Sequence, residues 1–277
     1  MNDSSASHLI NSFIKTCNRS SRLDIELLFM HVLGIDQNIL YRDDPILKSL
    51  ELDRIKKLIE RREDGEPLAY LTNNIGFCNL DLFINQHVLV PRPETEVLVE
   101  TVLDECDSGR KKVLDLGTGS GAIGLALAQE RSDWLIACTD LSFDSLKVAS
   151  VNMTKNSLNV YLVNADWLGS FQTNYFDIII SNPPYIDPAD PRVFSDGLKY
   201  EPIKALVSES DGLADIKKIA KEGSKMLVDG GYLFLEHGYD QSDKVAYILK
   251  KNGFSQIRVV KDLNGDDRVC MGQLNRC

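Results

Sequence analysis

Residues 113–128 read VLDLGTGSGAIGLALA, and this stretch decides the fold class of the chain. Apolar residues predict a strand up to Leu116, glycines predict a tight turn after it, and alanines and leucines predict a helix from Ala122. A strand that turns through glycines into a helix opens the α/β folds in which a parallel sheet carries helices on both faces. The backbone N–H groups at the start of such a helix face a bound ligand.

Strand and helix patterns alternate along the chain after this turn. The segments 134–140 (WLIACTD), 175–181 (YFDIIIS) and 231–236 (GYLFLE) are apolar enough for strands buried on both faces, and helical patterns separate them. This alternation predicts an α/β domain with a mostly parallel sheet. Ligands of such sheets bind at the carboxyl ends of the strands, which is where Asp140 and Ser181 fall.

Two other regions precede this domain. Residues 1–72 have apolar residues at helical spacing and almost no strand pattern, whereas residues 73–91 alternate in the manner of a hairpin. We therefore predict a small N-terminal helical domain over residues 1–72, a β-hairpin linker over residues 73–91 and an α/β domain over residues 92–277.

The composition disfavours several classes of function. The 277 residues carry a formal net charge of −10, which argues against a large contact surface for nucleic-acid phosphates. The four histidines stand apart without zinc-ligand spacing, so we predict no metal, and no apolar run reaches the roughly 20 residues of a membrane span. Because the N-terminus lacks a secretory signal pattern and the cysteines lack C-x-x-C spacing, we predict a cytoplasmic protein with free thiols. The cysteines are Cys17, Cys78, Cys106, Cys138, Cys270 and Cys277.

The glycine turn by itself leaves the cofactor class open. Gly119, Gly121 and Gly124 match the G-x-G-x-x-G pattern of dinucleotide sites, and a turn that binds nothing is a further alternative. Asp115, in the strand before the turn, favours S-adenosylmethionine, because a carboxylate repels a pyrophosphate and attracts an ammonium and a sulfonium. Asp140 ends the next strand, where a carboxylate accepts hydrogen bonds from the ribose hydroxyls of either cofactor class.

The following strand ends in NADW, residues 164–167. Asp166 is placed to accept a hydrogen bond from an adenine amino group, and Trp167 is placed to pack on the adenine or to cover its pocket. Ordinary core packing is the alternative for Trp167.

The motif SNPPY, residues 181–185, follows the isoleucine-rich strand. Proline fixes φ and lacks an N–H, so the backbone here is stiff and its carbonyls are free to accept hydrogen bonds. The Asn182 amide oxygen and the Pro183 carbonyl can hold the two hydrogens of a planar NH2 group, with the Tyr185 ring against its face. Such an arrangement directs the nitrogen lone pair at a methyl donor and stabilises the positive charge that develops. A plain strand-ending turn is the alternative.

Seven short motifs, in this order, make the chain resemble the release factor glutamine methyltransferases of the HemK/PrmC type. They are GEPLAYLT (65–72), LVPRPETE (89–96), LDLGTGSGAIGLALA (114–128), SNPPYI (181–186), EP (201–202), LFLEHG (233–238) and DDRVCMG (266–272). The N-terminal part resembles that of the family in its helical character more than in its individual residues. The chain departs from the family pattern at residues 73–76 (NNIG), within the predicted hairpin, and at Ser242, where glycine is common.

The resemblance implies a Rossmann-like class I methyltransferase domain that uses S-adenosylmethionine to methylate the glutamine side chain in the Gly-Gly-Gln loop of bacterial-type peptide chain release factors. The helical N-terminal domain would recognise that protein partner, and we expect neither stable nucleic-acid binding nor membrane association. With Asp166 from the NADW segment, the expected cofactor-binding residues are Gly117, Thr118, Gly119, Ser120, Gly121, Asp140, Asp166, Trp167 and Asn182. The expected substrate-binding residues are Asn182, Pro183, Pro184 and Tyr185, and the expected catalytic residues among them are Asn182, Pro183 and Tyr185.

Other functions stay open at the level of sequence. Adenine amino-methyltransferases of DNA use a similar Asn/Asp-Pro-Pro-aromatic motif for the same kind of NH2 group, but they need positive surface for the DNA backbone. A binding module or a lapsed enzyme would carry a damaged cofactor loop or a damaged SNPPY motif, and both are intact here. A nicotinamide-dependent oxidoreductase rests only on Gly119, Gly121 and Gly124.

Overall fold

A computed structural model describes residues 5–169, 171–194 and 197–276. Contacts between residues divide the chain into two compact units. One unit holds the described residues of Met1–Asn74 and Phe194–Tyr200, and the other holds those of Ile75–Val193 and Glu201–Cys277. Five of the six cysteines are free thiols, and Cys277 lies outside the described residues.

The first unit is built from helices around its own apolar core. Ser21 caps the second of these helices by accepting the Asp24 N–H at 3.1 Å, while the Asp24 carboxylate accepts the Ser21 N–H at 3.2 Å. Gly34 ends that helix with a φ of 65°, a value that glycine adopts without strain. Ile25 and Phe29 from the same helix are fully buried in the core. The helices are α1 (Ala6–Thr16), α2 (Arg22–Leu33), α3 (Gln37–Asp43), α4 (Ser49–Glu63) and α5 (Leu68–Thr72).

A two-stranded sheet follows, formed by β1 (Asn74–Phe77) and β2 (Leu80–Phe83). Cys78 and Asn79 join the strands with φ values of 45° and 62°, the left-handed values of a type I′ turn. Asn73 ends α5 with a φ of 54°, a conformation that asparagine tolerates better than most residues. The unusual NNIG segment is therefore compatible with a tight hairpin.

The second unit contains the mixed sheet that the sequence predicts. Its strands are β3 (Lys112–Leu116), β4 (Leu135–Asp140), β5 (Tyr161–Asn164), β6 (Phe176–Ser181), β7 (Leu227–Glu236), β8 (Phe254–Lys261) and β9 (Asp267–Leu274). They lie in the order β5-β4-β3-β6-β7-β9-β8, parallel from β5 to β7 and antiparallel for the last two pairs. Leu114, Ile179 and Leu233 stand side by side on the three central strands and are fully buried. The prediction of a mostly parallel, doubly covered sheet is confirmed.

Helices connect these strands: α6 (Pro93–Glu105), α7 (Ala122–Glu130), α8 (Phe143–Lys155), α9 (Glu209–Gly212), α10 (Ala214–Met226) and α11 (Ser242–Lys251). The unusual Ser242 is the first residue of α11, where serine is well tolerated. Among the described residues no helix has both the length and the apolar character to span a membrane, and no cluster of His, Cys, Asp and Glu side chains could hold a metal ion.

The strand order reverses at β3, which lies between β4 and β6. Crossovers on the two sides of β3 leave in opposite directions, so a crevice opens beyond the carboxyl ends of β3, β4 and β6. The glycine turn follows β3, Asp140 ends β4 and the SNPPY motif begins at the end of β6, whereas Asp166 and Trp167 follow the neighbouring strand β5.

Candidate active site

The glycine turn between β3 and α7 forms one wall of the crevice. Gly117, Gly119 and Gly121 have φ values of 68°, 56° and 85°, which favour glycine at all three positions. The turn is also held from outside, because the Thr118 N–H donates to the carbonyl of the β4 residue Thr139 at 2.8 Å. The glycines of this turn thus bring backbone atoms up to the crevice with no side chain in between.

Asp115 braces this turn from behind. Its Oδ2 accepts the Thr118 hydroxyl at 2.5 Å and the Gly124 N–H at 3.0 Å, and the residue is fully buried. Burial raises the pKa of Asp115 to about 6. Its Oδ1 is buried without a hydrogen-bond partner among the described residues. Asp115 therefore acts first on the shape of the turn, whereas the sequence argument aimed it directly at the cofactor.

A cavity of about 670 Å³ occupies the crevice. This volume suits a nucleoside-sized ligand. Its walls come from the segment before α6, the glycine turn, the end of β4, the NADW segment, the SNPPY motif and the segment 202–205. The lining residues are His87, Val88, Leu89, Gly117, Gly119, Thr139, Asp140, Leu141, Ser142, Ser145, Ala165, Asp166, Trp167, Asn182, Pro184, Pro202, Ile203, Lys204, Ala205 and Asp215.

Asp140 lines the cavity at the end of β4. Its Oδ2 accepts the Gly119 N–H at 2.9 Å and its Oδ1 accepts the Ser142 N–H at 2.8 Å, so both carboxylate oxygens are fixed in place. Burial raises the pKa of this carboxyl. Each oxygen keeps a lone pair with which it can accept a ligand hydroxyl.

Trp167 lies opposite the glycine turn. Its ring would be 3.5 Å from a Cβ placed on Gly117, and its Nε1 donates to Asp215 Oδ1 at 3.1 Å. The backbone of Trp167 has a φ of 49°, a strained value for a large side chain. The neighbouring Asp166 also lines the cavity, but its side chain is 65% exposed and pairs with Lys218 at 3.0 Å.

The SNPPY motif forms the wall at the end of β6. Asn182 and Pro184 line the cavity, whereas Pro183 is buried and Tyr185 lies behind the wall. Asn182 Nδ2 donates to the Thr95 hydroxyl oxygen at 3.2 Å, and Asn182 Oδ1 accepts no hydrogen bond from the described residues. The Tyr185 hydroxyl donates to Glu236 Oε1 at 3.2 Å, and burial raises the pKa of Tyr185, which keeps it protonated.

Comparison with known proteins places this site in a family. The family model "PrmC N-terminal domain" matches residues 8–72, and "Methyltransferase small domain" matches residues 93–195. The release factor glutamine methyltransferase of Escherichia coli K12 is 37% identical over 258 residues, which are 92% of this chain and 93% of that protein. Its counterpart from Buchnera aphidicola of Schizaphis graminum is 40% identical over 254 residues, 91% of this chain and 92% of that protein. The chain belongs to the release factor glutamine methyltransferase family.

Solved structures agree on the fold of this family member. A methyltransferase from Pyrococcus furiosus matches with a TM-score of 0.54 at 18% identity, over 83% of this chain and 100% of that chain. A 16S rRNA N2 G1207 methyltransferase from T. thermophilus matches with a TM-score of 0.53 at 19% identity, over 73% of this chain and 50% of that chain. The predicted Rossmann-like methyltransferase fold is confirmed.

The cavity of this release factor glutamine methyltransferase fits S-adenosyl-L-methionine. Glycine backbone leaves room at the turn, the Asp140 carboxylate can accept ribose hydroxyls, and the Trp167 ring offers a face for the adenine. The unpartnered Oδ1 of Asp115, behind the turn, adds negative charge that favours a cationic ligand. Of the expected cofactor residues, Thr118, Ser120 and Gly121 do not line the cavity; the first two are buried and shape the turn.

Three residues that were not among the expected site residues support this site. Glu201, with its side chain only 1% exposed, pairs with Arg92 and accepts the Val90 N–H at 3.0 Å. It thereby ties the segment before α6 to the segment 202–205, two walls of the cavity. Thr95 and Glu236 contact the SNPPY motif from α6 and β7. In the sequence, Thr95 and Glu236 are marked only by their places in the LVPRPETE and LFLEHG motifs.

Proposed function

We propose that this chain transfers a methyl group from S-adenosylmethionine to the side-chain amide nitrogen of the glutamine in the Gly-Gly-Gln loop of bacterial-type peptide chain release factors. Because these substrates act at the ribosome, we place the reaction in the cytoplasm. The family membership supports the release factor as substrate, and the site geometry supports an NH2 group as the methyl acceptor.

The orientation of Asn182 is the observation that carries the proposal. Its NH2 end is held by Thr95, so its Oδ1 is the end left to the cavity. An oxygen at this position accepts a hydrogen from a substrate amide, whereas an NH2 end would repel it. A substrate that presents a carboxylate or a carbonyl would instead be repelled by this oxygen, because both groups are acceptors.

When bound, S-adenosylmethionine supplies a methyl group on a positively charged sulfur. The chain's task is then to hold the glutamine NH2 with its lone pair directed at that methyl group. Asn182 Oδ1 and the Pro183 carbonyl are the proposed acceptors for the two amide hydrogens. Both oxygens carry partial negative charge, so they stabilise the positive charge that develops on the nitrogen. The nitrogen becomes acidic only as its bond to the methyl carbon forms and the bond between that carbon and the sulfur breaks. It therefore needs no base beforehand, and it releases one proton to water afterwards.

Tyr185 has a proposed role in the same step. It follows the lining residue Pro184 in the chain without lining the cavity itself, it packs against the core, and its hydroxyl donates to Glu236. We assign the ring to the flat face of the glutamine amide, an arrangement that requires the substrate to reach past Pro184. Tyr185→Phe keeps the ring and loses only the hydroxyl that holds it, so it should lose less turnover than Tyr185→Ala, which removes the ring.

Methyl transfer from labelled cofactor tests the function. The chain is incubated with S-adenosylmethionine carrying a labelled methyl group and with either a release factor or duplex DNA. We expect label in the tryptic peptide that contains Gly-Gly-Gln and none with Asn182→Ala, whose cofactor Kd should stay within a few fold. Label in DNA would instead establish the adenine amino-methyltransferase, which the net charge of −10 disfavours.

We assign recognition of the release factor to the helical domain over residues 1–72, since a single glutamine loop offers little surface for selection. That region exposes large apolar side chains, among them Leu23, Ile46 and Leu50 at 57%, 63% and 71% exposure. Leu50→Ser should raise the KM for release factor and leave the Kd for S-adenosylmethionine unchanged. Leu263→Ser, at a fully exposed position of the second unit, is the matched control and should change neither. Equal effects of the two variants would refute the assignment.

A further inference from the structure

Glu236 is a buried carboxyl next to the SNPPY motif. It ends β7, one residue after Leu235, which pairs with Ser181 at the end of β6. Its exposure is 1%, and no cation among the described residues bonds to it. The nearby Arg268 instead donates to Asp262 Oδ2 through two nitrogens at 3.1 and 3.2 Å. Burial raises the pKa of Glu236 to about 7. Such a carboxyl is costly to bury and calls for an explanation.

Two side chains of the active site touch this carboxyl. The Tyr185 hydroxyl donates to Oε1 at 3.2 Å. The Thr95 hydroxyl, itself buried, lies close enough to lower the pKa of Glu236. Glu236 Oε2 is buried without a hydrogen-bond partner among the described residues, so it has the capacity to accept one.

The direction of each hydrogen bond follows from the chemistry of a carboxylate. An ionised carboxylate can only accept, so a hydrogen bond between Thr95 and Glu236 must use the single hydroxyl hydrogen of Thr95. The Thr95 oxygen must then accept, and the only end of Asn182 that can donate to it is the NH2 end, found 3.2 Å away. Asn182 Oδ1 is left to the cavity as a consequence. If Glu236 could donate instead, Thr95 could donate to Asn182 and the amide could turn around.

We propose that Glu236 is a positioning residue: through Thr95 it fixes which end of the Asn182 amide faces the substrate, and through the Tyr185 hydroxyl it fixes the ring. The inference deepens the proposed function and rests on it, because an outward-facing oxygen is useful only for an NH2 substrate.

Glu236→Gln is the direct test, since glutamine keeps the shape and adds a donor that can reverse the chain of hydrogen bonds. We expect kcat for release factor methylation to fall about 10- to 100-fold, less than the roughly 100- to 1,000-fold that losing a direct transition-state donor costs, because Glu236 acts through other side chains. The Kd for S-adenosylmethionine should stay within about threefold, and the melting temperature should not fall, because a buried charge is removed. Glu222→Gln, which changes a carboxyl with one buried, unpartnered oxygen on α10, is the matched control and should keep wild-type kcat.

Thr95 variants test the route through the hydroxyl. Thr95→Ser should keep most of the activity and Thr95→Val should lose as much as Glu236→Gln. The double variant Thr95→Val with Glu236→Gln should be no worse than either single variant, because both break the same chain of hydrogen bonds.

The pH dependence of kcat provides a separate readout. The groups facing Glu236 are Glu94 and Thr95 from α6, Tyr185 after β6 and Arg268 from β9. Since only the ionised carboxylate sets the required direction, kcat of the wild type should rise with pH as Glu236 ionises. Glu236→Gln should lose this rise. A wild type that transfers nothing to release factor overturns the proposed function and this inference with it. An active wild type with an equally active Glu236→Gln variant and an unchanged pH profile overturns this inference alone.

Discussion

Replacing Gly124 by alanine should push helix α7 away from the sheet and loosen the cofactor turn. Gly124 is the third residue of α7, and a Cβ built there lies 2.2 Å from Cys138 Sγ on β4 and 3.1 Å from Asp115 Oδ2 on β3. Its N–H also donates to Asp115 Oδ2 at 3.0 Å. The glycine that completes a dinucleotide-type pattern in the sequence is therefore explained by close packing of helix on strand, a need shared by both cofactor classes.

The size of the effect follows from this geometry. Non-bonded heavy atoms pack at about 3.5–4.0 Å, so the new methyl group would overlap Cys138 Sγ by more than about 1 Å and the helix must move. Overpacking of a core costs about 1–3 kcal/mol, and the higher helix propensity of alanine offsets at most about 1 kcal/mol. We expect the free energy of unfolding to fall by about 2 kcal/mol, which corresponds to a melting temperature lower by about 4–8 °C. Because the glycine turn leads directly into α7, the turn shifts with the helix, and a loss of about 1.4 kcal/mol of cofactor binding energy would raise the Kd for S-adenosylmethionine about tenfold.

Urea unfolding and calorimetric titration with S-adenosylmethionine measure the two quantities. Gly223→Ala is the matched control, since a Cβ there meets its nearest neighbour at an ordinary 3.7 Å in the helix α10, and it should be neutral or stabilising by up to about 1 kcal/mol. Cys138→Ala removes the clashing sulfur and should recover about 1–2 kcal/mol in the double variant relative to additivity. A Gly124→Ala variant as stable as the control, or strictly additive with Cys138→Ala, would refute the packing argument.

Three further predictions concern the walls of the cavity and its buried charge. Asp140→Ala frees the Gly119 N–H and removes the ribose acceptor, so the Kd for S-adenosylmethionine should rise at least about tenfold in calorimetric titration; an unchanged Kd would contradict its assignment. Glu201→Gln leaves the Arg92 guanidinium, one-third exposed, without its carboxylate. The melting temperature should therefore fall by an amount equivalent to about 1–3 kcal/mol, and the Kd for S-adenosylmethionine should rise with it. If neither the melting temperature nor the Kd changes, other contacts hold the segment before α6 and the segment 202–205 together. The pKa of Glu236 is raised from 4.5 to about 7, so the folded state holds this proton more tightly than the unfolded state, and the free energy of unfolding falls as pH rises from about 4.5 to about 7. Over this pH range the melting temperature of Glu236→Gln should fall less than that of the wild type. Equal falls in the two melting temperatures would contradict the raised pKa.

The fold and most of the cavity could be predicted because their signals are local. The near-continuous apolar strands, the glycines with positive φ and the stiff Pro183-Pro184 pair each act within a few residues, and the carboxyl ends of parallel strands meet at one edge by geometry alone. The sequence placed Asp115 beside the glycine turn but did not show that its Oδ2 bonds to the turn, since a residue's place on a strand does not tell whether its carboxylate faces a ligand or the turn beside it. It could not separate lining residues from supporting residues within the motifs, as at Gly117 and Thr118.

The sequence by itself determined the α/β order of the second unit, the glycine turn and the position of Asp140 and of the NADW and SNPPY motifs at strand ends, because backbone propensities and covalent constraints act along the chain. Only the tertiary structure decided the partners of those motifs: Thr95 meets Asn182 across 87 residues, Glu236 meets Tyr185 across 51, and Glu201 meets Val90 across 111. A hydrogen bond depends on a separation of about 3 Å and on which group can donate. Strand order and the packing of α6 against the sheet set that separation, and no local pattern records it.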